Sequence, residues 1–416
     1  MEFGIKTLDD VQVSGKTVLL RVDINEPVDH DSGTLKDISR IRACVPTVVE
    51  LMDGGARLVL LAHQGSDIEY KNFYTTKPHQ AVLEKLTGKK IGFIDDVCGP
   101  AAREAIANLK DGEALLLDNV RFCSEEQTLF EMNLKLTHAQ QAKTQVVEKL
   151  APLADLYVCD AFAAAHRDQP SLCGFEQVLP SCMGRLFGKE YTVISKMMES
   201  PERPCVFVLG GAKISDAFMM MQTVLKKGTA DKVLTGGLVS NIMLLANGNN
   251  IGKASLAFIE KAGYEKYIGV AKELLSKYKE HIVLPADLAY VENGKRKEAA
   301  ATKRVDEYSF VDIGQETVER YTKEIEQAKT VFVNGPMGIF EEPETEYGTK
   351  KIWEALANTS AYTIVGGGDS VTATNKYGLQ DKIGYICTGG GALIRFLTGD
   401  ELPVVAALRH AAQKFA

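Results

Sequence analysis

Basic and polar side chains follow the short apolar runs in the first half of the chain. The segments that carry them are RVDIN at 21–25, AHQG at 62–65, DNVRF at 118–122 and DAFAAAHR at 160–167. Because arginine forks pair bidentately with phosphate and carboxylate, this recurrence predicts a site for a small phosphorylated or carboxylic anion. An alternative is that Arg21 and Asp23 merely pair with each other, which explains one strand end but not the whole set. The basic residues of the set, with Arg40 included, are Arg21, Arg40, Arg121, Arg167, His63 and His166.

Glycine turns follow the apolar runs of the second half. They are VLGGAK at 208–213, LTGG at 234–237, VGGGDS at 365–370 and CTGGGA at 387–392. A glycine turn that leads into a helix presents free backbone N–H groups and the positive end of a helix dipole to a phosphate chain. The repetition predicts a nucleotide site, in which Lys213 meets phosphate oxygens and Asp369 holds a magnesium ion. Glu341, after NGPMGIF, is a candidate ligand of the ribose.

An anion site on one lobe and a polyphosphate site on the other predict the transfer of a phosphoryl group. Such transfer depends on positioning and charge neutralisation more than on covalent help from the protein. A carboxylate acceptor is already ionised at pH 7 and needs no general base, which agrees with a sequence that shows no recognisable acid–base dyad. The sequence also contains neither G-x-x-x-x-G-K-[ST] nor G-x-G-x-x-G, so the predicted nucleotide site is of another kind.

The elements that must position these residues alternate between strand and helix. The apolar runs are 18–22, 58–62, 91–94, 115–117 and 156–158, then 206–209, 233–234, 282–284, 331–333, 363–365 and 385–386. Continuous apolar strands are typical of parallel sheets covered on both faces. Helical spacing predicts helices from Ile41 to Met52, with a kink at Pro46 and an end at Gly54, and over 270–279 and 317–327. The charged stretch 188–202 is the predicted connector.

Length and composition limit the number of domains and the class of protein. The chain has 416 residues, and single cores seldom exceed roughly 250 to 300 residues, so we expect two lobes. A hydrophobic content of 45% excludes disordered and fibrous classes, and a net charge of −7 argues against a nucleic-acid partner. No window is apolar enough to span a bilayer and no leader pattern opens the chain, so we expect a cytoplasmic protein without a membrane partner. The eight cysteines lack metal-binding or C-x-x-C spacing, which indicates free buried thiols.

Taken in order, these segments resemble the signature segments of the phosphoglycerate kinase family, and of its archaeal branch in particular. The series runs from RVDIN through GGAK, NGPMGIFE and GGGDS to TGGGA and spans nearly the whole chain. The resemblance implies an α/β fold of two Rossmann-like lobes, each a parallel sheet covered by helices, joined by a hinge. It also implies a 3-phosphoglycerate domain at 1–187, on which the segment 402–416 packs back, and a nucleotide domain at 188–401.

The resemblance further implies a reaction and its residues. The reaction is reversible, Mg2+-dependent phosphoryl transfer between 1,3-bisphosphoglycerate and ADP, giving 3-phosphoglycerate and ATP in glycolysis or gluconeogenesis, in a monomer or homodimer. Arg40, Lys213 and the backbone N–H groups of Gly389, Gly390 and Gly391 would act on the migrating phosphoryl group. The implied substrate-binding residues are Asp23, Asn25, Arg40, His63, Gln64, Gly65, Ser66, Arg121, His166 and Arg167. The implied nucleotide-binding residues are Gly211, Lys213, Gly236, Gly237, Asn334, Glu341, Gly366, Gly367, Gly368, Asp369 and Ser370, with Asp369 as the metal ligand. Since each lobe supplies only part of the charge, we expect the lobes to close on their ligands.

The sequence departs from the family pattern in places. Ser66 and Asp67 stand where the family usually has a basic residue and a proline after H-x-G, so one cationic ligand of the substrate phosphate is missing from the motif. Ala217 stands where many members have a second lysine, a change that resembles the archaeal branch. DAFAAAHR also carries alanines in place of the usual Gly-Thr pair.

These departures keep other functions open. Ser66 and Asp67 favour, as an alternative, a related kinase that forms an acyl phosphate on a different anionic acid. A two-lobed dinucleotide-binding oxidoreductase is a further alternative, which the missing glycine fingerprint opposes. A catalytically silent binding protein is the last, and the joint presence of Arg40, Lys213 and Asp369 weighs against it.

Overall fold

The structure is a computed structural model that describes residues 1, 3–29, 31–65 and 73–416. Its strands are β1 (Thr17–Arg21), β2 (Arg57–Leu61), β3 (Ile91–Ile94), β4 (Ala114–Leu117), β5 (Leu156–Cys159), β6 (Ser181–Met183), β7 (Cys205–Leu209), β8 (Lys232–Thr235), β9 (Ile282–Val283), β10 (Asp287–Glu292), β11 (Lys295–Ala300), β12 (Asp312–Ile313), β13 (Thr330–Asn334), β14 (Tyr362–Gly366) and β15 (Tyr385–Ile386). Its helices are α1 (Ser39–Asp53), α2 (Lys77–Thr87), α3 (Pro100–Ala107), α4 (Thr128–Leu134), α5 (His138–Gln141), α6 (Gln145–Leu150), α7 (Pro170–Cys173), α8 (Arg185–Glu199), α9 (Ile214–Lys226), α10 (Gly237–Ala246), α11 (Lys253–Lys261), α12 (Lys266–Tyr278), α13 (Gln315–Gln327), α14 (Tyr347–Asn358), α15 (Gly368–Lys376), α16 (Gly390–Leu397) and α17 (Pro403–Lys414).

Two six-stranded parallel sheets carry the fold, in the orders β3-β4-β2-β1-β5-β6 and β15-β14-β13-β7-β8-β9. The central strands β1, β7 and β13 are buried along their whole length, as expected for parallel strands with helices on both faces. The predicted α/β fold with two parallel sheets is confirmed, and each predicted apolar run forms a strand of one of these sheets.

Some β structure is missing from the sequence prediction. The short strand β6 extends the first sheet, and β11, β10 and β12 form a separate antiparallel sheet in that order. Strand β11 reads KRKEAA and is mostly exposed, so it carries no apolar pattern. The β10–β11 turn has a readable signal, because Asn293 and Gly294 both adopt positive φ, 51° and 71°, and Asn-Gly is the preferred pair for such a hairpin.

Helix α1 positions Arg40. It extends the predicted helix at its N-terminal end and continues through Pro46 without interruption. Its N-cap residue Ile38 makes no side-chain capping bond, and the buried Glu26 supplies the acceptor instead. The Glu26 carboxylate accepts the backbone N–H of Arg40 at 2.7 Å and that of Ile41 at 3.1 Å. The loop after β1 therefore holds the first turn of α1, and Arg40 with it.

The chain divides into two compact units. Unit 1 contains Met1–Thr192 together with Glu401–Ala416, and unit 2 contains Val193–Asp400. In unit 1, helix α17 buries one face, including Val405 and Leu408, and its Val404 N–H donates to the Ala165 carbonyl at 3.4 Å. The predicted connector 188–202 is largely helical, because most of it belongs to α8. Among the described helices, none combines the length and apolar character needed to cross a bilayer.

Candidate active site

Arg21 closes β1 and lies fully buried in unit 1. Its Nε donates to Ser171 Oγ at 3.0 Å, one Nη to the Val22 carbonyl at 2.7 Å, and the other Nη lies 3.2 Å from His63 Nδ1. The alternative in which Arg21 pairs with Asp23 does not match these contacts. Arg21 is therefore part of the framework that holds His63.

His63 lies among the predicted arginines. Burial lowers the pKa of His63 well below its ordinary value of 6.5, and the charges of Arg121, Arg21, Arg40 and Arg167 lower it further. The imidazole is therefore neutral at physiological pH. A guanidinium can only donate, so Nδ1 accepts from Arg21 and the ring proton lies on Nε2. The structure thus gathers the four predicted arginines around a neutral histidine with one N–H to donate.

Asp23 fixes the guanidinium of Arg40. The two side chains form an ion pair with an Nη1–Oδ2 distance of 2.7 Å, in which Asp23 is 5% exposed and Arg40 35% exposed. The charge of Asp23 is also the main reason that the pKa of Arg40 is raised. Arg40 is therefore anchored by a buried carboxylate while part of its side chain stays open to a ligand.

The loop after β2 is braced by side chains of other loops. Gln64 is buried, and its amide exchanges hydrogen bonds with the Glu26 backbone at 2.7 and 3.1 Å. The next residue, Gly65, donates its N–H to Asn25 Oδ1 at 2.8 Å. Asn119 Oδ1 accepts the N–H groups of Gln64 and Arg121 at 3.1 and 3.0 Å. The side chains of Gln64, Asn25 and Asn119 therefore shape the loop that carries His63.

Arg121 is the most buried of the predicted ligand arginines. It follows β4 in a 3₁₀ turn, donates to the Gly65 carbonyl, and has no described partner for its buried Nε. Burial, with the nearby charges of Arg21 and Arg167, lowers the pKa of Arg121 to about 10, so the group stays cationic at neutral pH. A cation held among like charges gains most from a bound anion.

Arg167 and His166 end the DAFAAAHR segment and are both half-buried. Arg167 Nη1 lies 3.6 Å from Glu131 Oε2. This ion pair ties the guanidinium to helix α4, which contains Glu131. The remaining predicted substrate residue, Ser66, lies outside the described residues, as does its neighbour Asp67.

Three of the four predicted glycine turns of unit 2, those at 208–213, 365–370 and 387–392, meet at one cavity of about 230 Å³. Helices α9, α15 and α16 begin at its wall, and their N-cap residues, Lys213, Gly367 and Gly389, make no side-chain capping bond. The predicted residues on the wall are Gly211, Lys213, Asn334, Gly367, Gly368, Asp369, Ser370, Gly390 and Gly391. The Lys213 Nζ lies 3.8 Å from Asp369 Oδ2, and both side chains are more than half exposed. The cavity thus offers N–H groups, helix dipoles and an exposed cation, the groups that bind polyphosphate.

Hydrogen bonds connect the glycine turns to the segment after β13. The N–H of Gly211 donates to the Pro336 carbonyl at 2.7 Å, and Ser370 Oγ accepts the N–H of Gly335 at 2.7 Å. Gly335 has a φ of 88°, and a Cβ there would lie 2.2 Å from the Gly210 carbonyl oxygen, so only glycine fits. Ser370 is fully buried and acts as a brace.

The other predicted glycines lie off this wall. Gly366 is packed against Leu393, since a Cβ there would lie 2.3 Å from Leu393 Cδ2. Gly236 packs against Met337, and Gly389 is the N-cap of α16.

A second, apolar cavity of about 290 Å³ shares Gly211, Ala212 and Asp369 with the first. Its wall includes Gly237 and Glu341, both predicted, and an apolar set that the sequence reasoning missed: Leu238, Phe258, Phe310, Val311, Ile339 and Phe340. Phe258 is 55% exposed and Ile339 47% exposed, which is unusual for side chains of this size. An apolar cavity that adjoins a phosphate-type cavity fits a nucleoside with its base inside and its ribose near Glu341.

Sequence reasoning also missed Glu26, Glu126 and Ser171. The Glu126 carboxylate accepts the Ser171 hydroxyl at 2.7 Å, and that hydroxyl in turn accepts Arg21 Nε. The sequence signal that could have identified such residues is a charged residue inside a buried stretch, such as Glu26 directly after RVDIN.

Comparisons with known proteins give matches over nearly the whole length of this chain. The sequence profile of the family described as phosphoglycerate kinase matches residues 8–400. The phosphoglycerate kinase of Methanothermobacter thermautotrophicus is 45% identical over 410 residues, which cover 99% of this chain and 98% of that protein. That of Methanosarcina mazei is 44% identical over 410 residues, covering 98% of this chain and 96% of that protein.

Comparison with solved structures also gives matches over nearly the whole chain. The phosphoglycerate kinase from Pyrococcus horikoshii OT3 matches with a TM-score of 0.87 at 38% identity, over 98% of this chain and 100% of that one. The structure from Coxiella burnetii matches with a TM-score of 0.83 at 29% identity, over 97% and 98% of the two chains. With the ordered motifs, the two parallel sheets and these full-length matches, the chain belongs to the phosphoglycerate kinase family.

Proposed function

We propose that the protein transfers a phosphoryl group between ATP and the carboxylate of 3-phosphoglycerate. In the forward direction 1,3-bisphosphoglycerate and ADP give 3-phosphoglycerate and ATP. The full-length similarity to phosphoglycerate kinases supports this reaction. The observation that carries the proposal is that unit 1 holds an arginine cluster and unit 2 holds a phosphate-type cavity.

We assign the acid to unit 1. Arg121 and Arg167 supply positive charge for its phosphate and carboxylate, and the neutral His63 donates its Nε2–H. Asp23 acts mainly by holding Arg40, which neutralises charge on the migrating phosphoryl group. Gln64, Asn25 and Gly65 shape the loop, since their polar groups already bond to each other or to Glu26. The acid domain would be 1–187 with 402–416 and the nucleotide domain 188–401; the compact units, which divide the chain after Thr192 and after Asp400, support this division into two domains.

We assign the nucleotide to unit 2. Its phosphates would accept the N–H groups at the starts of α15 and α16 and the charge of Lys213. The base would enter the apolar cavity beside Phe258 and Phe310, and Glu341, which lines the same cavity, would accept ribose hydroxyls. Gly211 and Gly237 line this path, and both have positive φ; a Cβ on Gly237 would lie 2.8 Å from the Gly211 nitrogen.

Mg2+ fits the phosphate cavity. The exposed carboxylate of Asp369 is a hard oxygen ligand beside the expected phosphate chain, and Mg2+ commonly uses one or two carboxylates plus substrate phosphates. When bound, the ion neutralises phosphate charge. Lys213, at 3.8 Å from the same carboxylate, is positioned to share that work.

No general base is required. The acceptor carboxylate is ionised at neutral pH, and the neutral His63 serves as a hydrogen-bond donor. Catalysis by this chain then consists of orienting the carboxylate and neutralising charge with Arg40 and Lys213.

ATP-dependent phosphorylation of 3-phosphoglycerate tests the proposal, coupled to NADH oxidation through glyceraldehyde-3-phosphate dehydrogenase. We expect Mg2+-dependent turnover. Absence of turnover by folded protein that still binds ATP would show that unit 1 accepts another acid and would refute the proposal.

A further inference from the structure

Three side chains with metal-binding atoms meet in unit 1. His138 begins α5, Cys173 ends α7, and Asp168 lies in the loop before α7. One nitrogen of His138, one carboxylate oxygen of Asp168 and the Cys173 sulfur all lie within 4.8 Å of one another. In the part of the chain that the structure describes, no other group of three or more His, Cys, Asp or Glu side chains is close enough to hold a metal ion. The fold therefore gathers nitrogen, oxygen and sulfur donors from separate segments of the sequence.

The donor set matches the chemistry of zinc. Zn2+ binds histidine, cysteine and carboxylate ligands at roughly 2.0–2.3 Å, with four ligands in a tetrahedron. In a tetrahedron with these bond lengths, two ligand atoms are roughly 3.3–3.6 Å apart. His138 Nε2 and Asp168 Oδ1 already have this separation, at 3.3 Å. The Cys173 sulfur lies no more than 4.8 Å from the other two ligand atoms, so an approach of at most about 1.3 Å completes the geometry.

Gln141 holds the carboxylate of Asp168 in place. It is buried, and its Nε2 donates to Asp168 Oδ1 at 2.5 Å and to the Asp168 carbonyl at 3.1 Å. Gln141 is the last residue of α5, so these bonds tie Asp168 to the helix that begins at His138. Metal ligands are commonly oriented by such hydrogen bonds from the residues around them. Two of the three ligands are therefore positioned before an ion binds.

The sulfur forms the inner wall of this group, and the other two ligands are open to solvent. Cys173 is fully buried, and its thiol contacts the Arg167 carbonyl at 3.8 Å, which is a weak hydrogen bond. The His138 side chain is 25% exposed and that of Asp168 is 41% exposed. An ion can therefore reach the two outer ligands from solvent, and the partly exposed imidazole can turn toward the sulfur. A surface ion pair needs only His138 and Asp168, so the thiol is the ligand that distinguishes a metal site.

We propose that His138, Asp168 and Cys173 bind one Zn2+ ion, which links α5 to the segment that follows Arg167. On binding, the Cys173 thiol gives its proton to solvent, and the imidazole binds through the lone pair of its unprotonated nitrogen. A water molecule completes the tetrahedron. Mg2+ prefers octahedral oxygen ligands, so this site and the proposed Mg2+ site at Asp369 select different ions. The inference does not depend on the reaction that the protein catalyses.

The experiment titrates the untagged, fully reduced chain with Co2+, a coloured substitute for Zn2+. One equivalent should give the near-ultraviolet charge-transfer band of a cobalt–thiolate bond and the strong visible bands of tetrahedral cobalt. Zn2+ should displace the cobalt and remove these bands, whereas excess Mg2+ should not. Cys173→Ala should lose the charge-transfer band. Loss of a residue that only supports a ligand costs about 10- to 100-fold in affinity, so His138→Gln and Asp168→Asn should each weaken Zn2+ binding by at least about tenfold. Cys182→Ala and His410→Gln, which remove a buried thiol and an exposed imidazole of the same unit, are the matched controls and should bind like the native protein.

Hydrogen–deuterium exchange tests the link between the two segments. Zn2+ should slow exchange in the peptides that contain 138–142 and 168–174 and leave the peptides of α12 unchanged. A native protein that gives no charge-transfer band overturns the proposed site, as does a His138→Gln variant that binds Zn2+ as tightly as the native protein. Zn2+ binding that leaves exchange in both segments unchanged overturns the link. Since Cys173 lies in the core and its replacement can prevent folding, the partly exposed His138 supplies the variant that decides the outcome by itself.

Discussion

Replacing Glu126 with glutamine should change how the stability of unit 1 depends on pH. The Glu126 carboxyl is fully buried and accepts the backbone N–H of Ser171 at 2.6 Å and its hydroxyl at 2.7 Å. Burial raises the pKa of Glu126 from its ordinary 4.5 to about 7, against the opposing charge of Arg21. The folded protein therefore holds a proton on Glu126 over a pH range in which the unfolded chain has lost it.

This difference sets the sign and size of the effect. An acid with a raised folded pKa loses stability as the pH rises from the unfolded value to the folded one, here from 4.5 to about 7. At about 1.4 kcal/mol for each pH unit, the native protein should lose about 3 kcal/mol of unfolding free energy through Glu126 by pH 8. Glutamine resembles the protonated carboxyl and does not titrate. Glu126→Gln should therefore match the native protein near pH 4.5 and exceed it by about 3 kcal/mol at pH 8.

Urea unfolding followed by circular dichroism at pH 4.5, 6, 7 and 8 measures this difference. The pKa of Asp160 is also raised to about 7 by burial, but that effect is present in both proteins and cancels between them. Glu148→Gln, which removes the same charge from an exposed side chain, controls for net charge. A difference between Glu126→Gln and native protein that is the same at pH 4.5 and pH 8 would refute the reasoning.

Other substitutions test the assigned roles. Arg40→Met should lower kcat by about 10²- to 10³-fold with ATP affinity unchanged, because its charge is needed most in the transition state; equal losses in kcat and affinity would contradict this. Gly368→Ala should fold normally, since a Cβ there meets nothing within 4 Å, yet weaken ATP binding in calorimetry by about tenfold, or about 1.4 kcal/mol, through a methyl group in the phosphate cavity. Gly269→Ala, on the exposed face of α12, is the matched control and should gain up to about 1 kcal/mol of stability with no change in affinity. Phe258→Ala should weaken ATP binding by about 1 kcal/mol but leave binding of inorganic triphosphate unchanged, and a parallel loss for both ligands would rule out contact with the base.

The parallel sheets could be predicted because their strands are buried on both faces and so read as continuous apolar runs, as at 206–209. The β10–β11 hairpin could not be found this way, since the charged strand β11 buries almost nothing. Its Asn293-Gly294 turn was the better signal, and a search for turn pairs would have found it. Charge in 188–202 indicated a connector, but helical spacing of buried residues such as Tyr191 and Ile194 decided the local structure.

Site residues whose type by itself suggests a chemistry could be predicted from the sequence. Site residues whose role depends on contacts in the folded structure could not. Arginines and glycines at strand ends point to anions and phosphates by themselves. The role of Glu26 depends on the start of α1 lying within 2.7 Å of its carboxylate, a contact between separate elements that no local pattern reveals. The apolar cavity combines Phe258 and Phe310 from segments that are far apart in the chain, and each alone reads as an ordinary core residue.

The placement of α17 affects the order in which the two units can fold during synthesis. Unit 1 needs Glu401–Ala416, which a ribosome synthesises only after all of Val193–Asp400. Until then the apolar surface that receives Val404, Val405 and Leu408 is uncovered. Unit 2 is one continuous segment and can fold during synthesis, whereas unit 1 begins first and is completed last. The nascent chain therefore carries an unfinished N-terminal half through most of translation, a period in which chaperones that bind apolar surface have a natural target.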